Sequence, residues 1–165
     1  MKRIGLISDT HGTFDNNLRS FLRDVDEVWH AGDFGGSDCS IADQIAIFKP
    51  LRGVFGNVDG ALMRRTFRLF ESFDCEGVRV VMTHIGGYPN RYTPEAMREI
   101  ANEHPKLFIS GHSHILKVIY DPKFDLLHIN PGAAGHYGIH KVRTAVRFTI
   151  DGCDIRDLEV GEWPR

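Results

Sequence analysis

Seven candidate metal ligands lie in five short motifs, three of which contain glycine. The motifs are Asp9-Thr10-His11, Gly32-Asp33, Gly56-Asn57, Thr83-His84 and Gly111-His112-Ser113-His114. Carboxylate, amide and imidazole groups are common protein ligands of divalent metals. Glycine beside a ligand allows the backbone to turn sharply and approach an ion. Each motif alone also has an ordinary structural explanation, but their combination predicts a metal site.

The seven side chains are sufficient for two cations. Two divalent ions about 3.5 Å apart support in-line displacement at phosphorus in many enzymes. The predicted ligands of the first and second ion are, in turn, Asp9, His11 and His114, and then Asn57, His84 and His112. Asp33 is predicted to bridge, because a carboxylate has two oxygens. Asp33, Asn57 and His84 are predicted to serve in catalysis as well.

The charge of such a site predicts its substrate. Two divalent cations exceed the combined negative charge of two carboxylates and a bridging hydroxide, so the site attracts an anionic phosphate ester. Asn57 preserves this surplus, whereas a third Asp would cancel it. The expected reaction is hydrolysis of a phosphoester by a metal-bridging hydroxide, without a covalent enzyme intermediate.

The first half of the chain predicts a parallel sheet that positions four of these residues. Apolar runs at 3–8, 27–30 and 51–55 predict strands, and residues 16–22 and 40–49 predict helices between them. This βαβαβ order is typical of a parallel sheet with covering helices. Each strand ends just before a predicted ligand, where sites assemble in such sheets.

The second half is richer in strands. A helix is predicted to begin at Thr93-Pro94-Glu95 and to run to about Glu103, with Thr93 as its N-cap. Asp151-Gly152 predicts a tight hairpin. Strands are predicted at residues 67–73, 78–83, 107–110, 117–120, 126–129, 142–150 and 153–160. The expected fold is α/β (α+β), with two packed β-sheets flanked by helices in a single domain over 1–165.

The combined motifs resemble those of the calcineurin-like metallophosphoesterases, and most of all their small single-domain prokaryotic phosphodiesterases. The resemblance extends from Arg3 to about Ala134 and includes Asn130-Pro131-Gly132. It implies a metallophosphoesterase sandwich with a dinuclear site at the carboxyl ends of strands, and the same ligands as those argued above. It favours Mn²⁺ as the active ion, with Ni, Fe, Co or Zn as alternatives, since affinity order alone does not select among them.

The sequence departs from the family at one position that matters for chemistry. Larger members have Gly-Asn-His, whereas this chain has Gly56-Asn57-Val58-Asp59. Val58 cannot protonate a leaving group, and loss of a general acid typically costs about 10²–10⁴-fold. We therefore expect phosphodiesters with good leaving groups, with Asp59 and His136 left open as substitute acids.

Two alternatives remain at this stage. A phosphomonoesterase could use the same site, although monoesters usually need an acid at the leaving group. A non-catalytic binding scaffold, similar to the small subunit of the eukaryotic retromer coat, is the alternative from another class. Such a scaffold is free to lose metal ligands, and this sequence retains all seven.

Composition limits the partners. The 165 residues have a net charge of −2, which argues against nucleic-acid or anionic-membrane binding. No targeting or membrane-spanning segment is expected, so the predicted location is cytoplasmic, and Cys39, Cys75 and Cys153 are expected to be free thiols. The predicted partner is a small phosphodiester, and a Phe-rich strand suggests a homodimer. Four further histidines are expected to be structural or exposed: His30, His104, His128 and His140.

Overall fold

Two five-stranded mixed sheets pack face to face in the computed structural model, which describes residues 1–165. The strands in chain order are β1 (Lys2–Ile7), β2 (Glu27–His30), β3 (Leu51–Gly53), β4 (Phe70–Cys75), β5 (Val78–Thr83), β6 (Leu107–Ile109), β7 (Leu116–Asp121), β8 (Leu126–Pro131), β9 (Val142–Asp151) and β10 (Asp154–Pro164). The helices are α1 (Asn16–Phe21), α2 (Ser40–Phe48), α3 (Ala61–Thr66) and α4 (Pro94–Glu103). The predicted fold class is therefore confirmed.

Each sheet contains three parallel strands. The first sheet has the order β10-β9-β1-β2-β3, in which β1, β2 and β3 are parallel as predicted. The second has the order β4-β5-β6-β8-β7, in which β5, β6 and β8 are parallel and the edge strands β4 and β7 run antiparallel. The loops after the parallel strands can therefore gather at one end of the molecule.

The main core lies between the sheets. Alternate side chains of each strand point inward, so Leu6 and Trp29 meet Val80 and Met82 across the interface. Helices α1, α2 and α3 cover the outer face of the first sheet. Helix α4 covers the second, where its Ile100 packs with Phe108. No helix is long and apolar enough to cross a membrane.

Local capping explains why α4 has its predicted bounds. Thr93 Oγ1 accepts a hydrogen bond from the Ala96 amide at 3.2 Å, and Pro94 occupies the first helical position. The helix ends at His104, which adopts left-handed φ of 48°. His104 is exposed, in agreement with its prediction.

Three predicted segments need correction. The strand expected at 67–73 begins at Phe70, because the unpredicted helix α3 and an irregular stretch precede it. The strand expected at 51–55 ends at Gly53. The final hairpin turns at Gly152-Cys153, since Asp151 pairs with Asp154, and β10 continues to Pro164 rather than residue 160.

The Phe-rich segment does not form the exposed surface that suggested a homodimer. Phe73 is buried in the main core and Phe70 is half-buried against the α4 cluster. The homodimer stays a prediction without this support. Cys39, Cys75 and Cys153 form no disulfide, as predicted.

Trp29 anchors the main core but leaves its indole N–H without a hydrogen-bond partner. Its ring meets Phe73 and Phe148 edge-on, with centroids 4.9 and 5.9 Å away. We expect Trp29→Ala to lower the free energy of unfolding by about 3–5 kcal/mol through the cavity it leaves. Trp29→Phe should cost clearly less, because it keeps a ring and removes an unpaired buried donor. Urea unfolding followed by circular dichroism measures both.

Ile47→Ala is the matched control, because Ile47 lies on α2 with 88% of its surface exposed. It should change the free energy of unfolding by about 0.5 kcal/mol or less. Equal losses for Trp29→Phe and Trp29→Ala would contradict the account of the unpaired indole.

Candidate metal centre

All seven predicted ligands lie in loops that converge at one end of the two sheets. Asp9 and His11 follow β1, and Asp33 follows β2. The remaining four follow β3, β5 and β6, and are Asn57, His84, His112 and His114. Both sheets contribute, so their packing brings together residues more than a hundred positions apart in the chain. The predicted position at the carboxyl ends of strands is that seen in the structure.

Five of the seven residues have left-handed backbone, which is uncommon outside glycine. Their φ angles are 52° for Asp9, 43° for His11, 58° for Asp33, 67° for His112 and 59° for His114. Residues in this region cost about 1 kcal/mol or more each and cluster at functional sites. Backbone hydrogen bonds between loops hold them: the Asp9 amide donates to Gly32 O at 2.9 Å and the His11 amide to Asp33 O at 3.2 Å.

Glycines are required where the loops approach each other most closely. Gly32 has φ of +96°, and a Cβ there would lie 2.6 Å from His84 Nδ1. A Cβ on Gly56 would collide with the Asp33 carboxylate. The glycines noted in the sequence therefore allow the ligands of different strands to meet.

The first cluster consists of Asp9, His11 and His114. Asp9 Oδ1 lies 3.1 Å from His114 Nε2 and 3.9 Å from His11 Nε2. Asp9 Oδ2 accepts from the Ser8 hydroxyl at 2.6 Å and from the His112 amide at 3.1 Å. Oδ1 is therefore left facing these two imidazoles and also His84 Nε2, which lies 3.9 Å away.

The second cluster consists of Asp33, His84 and His112, with Asn57 beside them. Asn57 Oδ1 lies 3.0 Å from His84 Nε2 and 3.0 Å from His112 Nδ1. His84 Nδ1 donates to Ala31 O at 2.7 Å, so a neutral His84 would present the lone pair of its Nε2 to a cation in this cluster. An amide oxygen and two imidazole nitrogens thus converge on one point.

Asp33 lies between the clusters. Its Oδ2 is 3.2 Å from His84 Nε2 in the second cluster and 3.9 Å from His11 Nε2 in the first. Its Oδ1 accepts from the Val58 amide at 3.0 Å. This arrangement suits a bridging carboxylate, although metal ligation by the seven residues stays a prediction.

Two unpaired buried atoms show that the side chains of the site fit a divalent cation. Asp9 Oδ1 and His11 Nε2 are buried and have no hydrogen-bond partner. Unpaired buried polar atoms are rare because each costs about 1–3 kcal/mol. A cation between them would accept both lone pairs, and the mixed oxygen and nitrogen donors suit Mn, Fe, Co, Ni or Zn.

The two carboxylates keep their charge despite burial. Burial raises the pKa of Asp9, but its contacts with His114 and His84 lower it by more. The pKa therefore lies below the ordinary value. Burial raises the pKa of Asp33 as well, and His84 and the Val58 amide more than offset it. The pKa of His11 is lowered, chiefly by burial, which favours the neutral imidazole that a metal requires.

Asp59 supports the site rather than supplying a proton. Its carboxylate is buried and accepts from the amides of Gly56 at 2.7 Å, Asp33 at 3.0 Å and Gly35 at 3.1 Å. Both oxygens are thus engaged as acceptors of backbone hydrogen bonds. The spacing of two residues from Asn57 did not reveal this role, because two of the three partners, Asp33 and Gly35, come from another loop.

Two further residues stabilise the loops. Asn130 donates to Gly111 O at 2.9 Å and accepts from the Gly132 amide at 3.0 Å, which holds the loop before His112. Arg64 donates to the carbonyls of Asp59 and Asn57 at 2.8 and 3.1 Å.

His30 is structural, as predicted. It is buried, stacks on Phe34 at 3.6 Å between centroids, and lies 2.9 Å from Thr10 Oγ1. Its Nδ1 accepts from the Gly32 amide at 3.1 Å, and burial lowers its pKa to about 3. His128 is buried as well, with a pKa lowered by burial to about 4.

Two clefts open beside His112 and Ser113. The larger, about 870 Å³, is lined by His114 and by an exposed loop that includes His136, Tyr137 and Ile139. The Tyr137 ring lies 5.0 Å from the His11 ring. The smaller cleft, about 160 Å³, is lined by residues that include Tyr88 and Lys117. Both clefts share the His112 side of the centre.

Asp59→Asn tests the supporting role. The new amide N–H₂ faces backbone N–H groups, so we expect a loss of about 1–3 kcal/mol in the free energy of unfolding. Metal affinity should fall as well, since Asp33 and Gly56 lose their anchor. Chemical denaturation and isothermal titration with Mn²⁺ measure the two effects. Asp24→Asn, at an exposed carboxylate, is the control.

The opposite pattern would favour Asp59 as an acid. In that case Asp59→Asn would leave stability and metal affinity unchanged and would slow only the hydrolysis of esters with poor leaving groups.

Comparison with solved structures shows the same fold in several proteins. An archaeal phosphodiesterase has a TM-score of 0.73 at 21% identity, covering 96% of this chain and 99% of its own. A predicted phosphoesterase of Streptococcus pneumoniae has a TM-score of 0.65 at 20% identity, covering 99% and 98%. Vps29 of Entamoeba histolytica, solved with Zn²⁺, has a TM-score of 0.70 at 15% identity, covering 98% of each chain.

No curated protein sequence matches this chain. The family model of the calcineurin-like phosphoesterase superfamily domain matches residues 1–152. With the fold described above, this match shows that the chain belongs to the calcineurin-like phosphoesterase superfamily.

Proposed function

We propose that this protein hydrolyses phosphodiesters with good leaving groups, using two divalent cations. The observation that carries the proposal is the convergence of seven donor side chains, among which Asp9 Oδ1 and His11 Nε2 are buried without a partner. Membership of a phosphoesterase superfamily supports the hydrolysis of phosphoesters. The fold shared with an archaeal phosphodiesterase is consistent with the diester class.

The seven residues would be divided between the two cations. Asp9, His11 and His114 would hold one cation, and Asn57, His84 and His112 the other, with Asp33 between them. When bound, the two cations supply an activated water and neutralise charge on the phosphoryl oxygens. The donors include no thiolate and suit a range of divalent metals, and we propose Mn²⁺ among them because the resemblance to small prokaryotic phosphodiesterases favours it.

The two clefts favour a diester over a monoester. A phosphodiester has two organic arms, and both clefts border His112. Tyr137, which lines the larger cleft, is 71% exposed, and its ring offers an apolar face to an aromatic arm. The smaller one contains Tyr88, with the Lys117 ammonium 4.3 Å from its ring. A monoester has a single arm and would leave one cleft without contact.

The leaving-group side has no acid from the 56–59 loop. Val58 is 50% exposed and Asp59 accepts three backbone hydrogen bonds. His136 is exposed and lines the larger cleft, so it is the remaining histidine that could protonate a departing group there. A scaffold without catalysis gains no specific support, because the likeness to Vps29 is one of fold alone.

Asp33→Asn is the direct test of the proposed site. Loss of a bridging negative charge should reduce hydrolysis of an aryl phosphodiester by at least about 100-fold, since several kcal/mol of stabilisation depend on the cations. Elemental analysis should show fewer than two ions per chain. Asp43→Asn, at an exposed position on α2, should change neither quantity.

Two results would refute the proposal. Undiminished activity in Asp33→Asn would remove the bridging role. A native protein that binds two cations but hydrolyses no mono- or diester under any divalent ion would favour the scaffold instead.

Val58→His tests the missing acid. In the native protein the rate should fall steeply as the leaving group becomes more basic, because nothing from this loop protonates it. The variant should raise the rate on alkyl diesters by about 10²–10⁴-fold and leave aryl diesters nearly unchanged. Val58→Asn is the matched control, with a polar side chain that cannot act as an acid. A flat dependence on leaving-group pKa in the native protein would contradict this prediction.

A further inference from the structure

His140 lies behind the predicted ligand His114 and was expected to be structural or exposed. Its Nδ1 is 3.2 Å from His114 Nδ1, and its Nε2 is 2.9 Å from the carbonyl oxygen of Gly135. The two rings meet edge-on, 5.0 Å apart at an angle of 81°. We propose that His140 is a positioning residue that sets the tautomer of His114 and so prepares its Nε2 for a cation. The proposal rests on the proposed function only in taking His114 as a ligand.

The proton positions follow from the carbonyl at the end of this chain of contacts. Gly135 O can only accept a hydrogen bond, so His140 Nε2 must carry the proton that it donates. A neutral His140 then has a bare Nδ1, which can only accept. His114 must therefore donate from its own Nδ1, and its Nε2 is left with a lone pair.

That lone pair points towards the first cluster. His114 Nε2 lies 3.1 Å from Asp9 Oδ1, an oxygen that accepts no hydrogen bond. Two atoms with lone pairs at this distance repel unless a proton or a cation lies between them. The tautomer set by His140 withholds the proton, which favours the cation.

The surrounding backbone holds His140 in this position. The Gly135 amide donates to Asp9 O at 3.1 Å, so the carbonyl that orients His140 is attached to the loop of Asp9 itself. Gly138 has φ of +132°, and a Cβ there would lie 2.8 Å from His140 Nδ1 and in collision with His114. Only glycine lets the 135–140 loop pack against the imidazole pair.

His84 provides an internal comparison. Its Nδ1 donates directly to a backbone carbonyl, that of Ala31, at 2.7 Å. No backbone carbonyl accepts from His114 Nδ1. Instead, His140 Nδ1 accepts from it, and His140 Nε2 donates to the carbonyl of Gly135. Both histidines would thus present Nε2 to a cation, one through a direct contact and one through a relay.

The first measurement is the tautomer of His114 in the native, metal-free protein. Nitrogen-15 NMR of the imidazoles, above the pH range in which histidine titrates, should show the proton of His114 on Nδ1. A proton on Nε2 would overturn the proposal. This readout needs no variant and no activity.

The second measurement compares two variants. His140→Phe removes the acceptor, so His114 should become a mixture of tautomers and Mn²⁺ or Zn²⁺ at this position should bind about 10–100-fold more weakly by isothermal titration. His140→Gln should restore both, because its amide can donate to Gly135 O and its oxygen can accept from His114. His104→Asn, at an exposed helix end, should resemble the native protein.

The outcomes separate this proposal from the proposed function. Native tautomer and affinity in His140→Phe would refute the relay even if phosphodiester hydrolysis is found. A native protein with the expected tautomer and metal binding but without hydrolysis would refute the proposed function and leave the relay intact. If His140→Phe does not fold, the native spectrum and His140→Gln still decide.

Discussion

The interaction on which the proposed site depends is the repulsion that arises between its donor atoms when the imidazoles are neutral and carry no proton on the facing nitrogen. Asp9 Oδ1 faces three imidazole nitrogens, those of His114, His11 and His84, while Asp9 Oδ2 is already satisfied by Ser8 and by the His112 amide. Such a group of lone pairs has no use in stabilising a fold and opposes folding by itself. It persists because the two sheets and their loops hold it in place. A cation bound between these atoms would turn the repulsion into attraction.

The scaffold holds this arrangement through the backbone more than through side chains. The loops after β1 and β2 are joined by amide–carbonyl hydrogen bonds, and Asp59 collects the amides of three residues around Asp33. Five predicted ligands have left-handed backbone, which costs free energy locally. This conformation directs their side chains towards the same small volume. The free energy that maintains them comes from the core between the sheets.

The sequence predicted the fold class and the group of site residues because both depend on local patterns. Continuous apolar runs indicate buried parallel strands. A polar residue directly after such a strand is identified as a candidate site residue by its position alone. Helix α4 was bounded correctly because Thr93 and Pro94 are strong local signals. Helix α3 was missed, since it has six residues and its N-cap, Gly60, makes no side-chain hydrogen bond.

The supporting contacts could not be predicted, because they join loops that are distant in sequence. His140 contacts His114 from 26 positions away, and Asp59 reaches the Asp33 amide across the same separation. Neither residue type nor spacing carries information about such a pair. A histidine without a motif therefore gives no indication of whether it is exposed, buried or placed behind a ligand.

The 56–59 loop shows how the acid can vary independently of the metal site. Asn57 faces the second cluster, Asp59 is buried as an anchor, and Val58 between them contributes only its amide, which donates to Asp33 Oδ1. Every residue except proline has that amide. The side chain at position 58 is 50% exposed, so we expect a change there to alter proton supply with little effect on the predicted metal ligands. The chemistry of this position is thus separable from the geometry that binds metal.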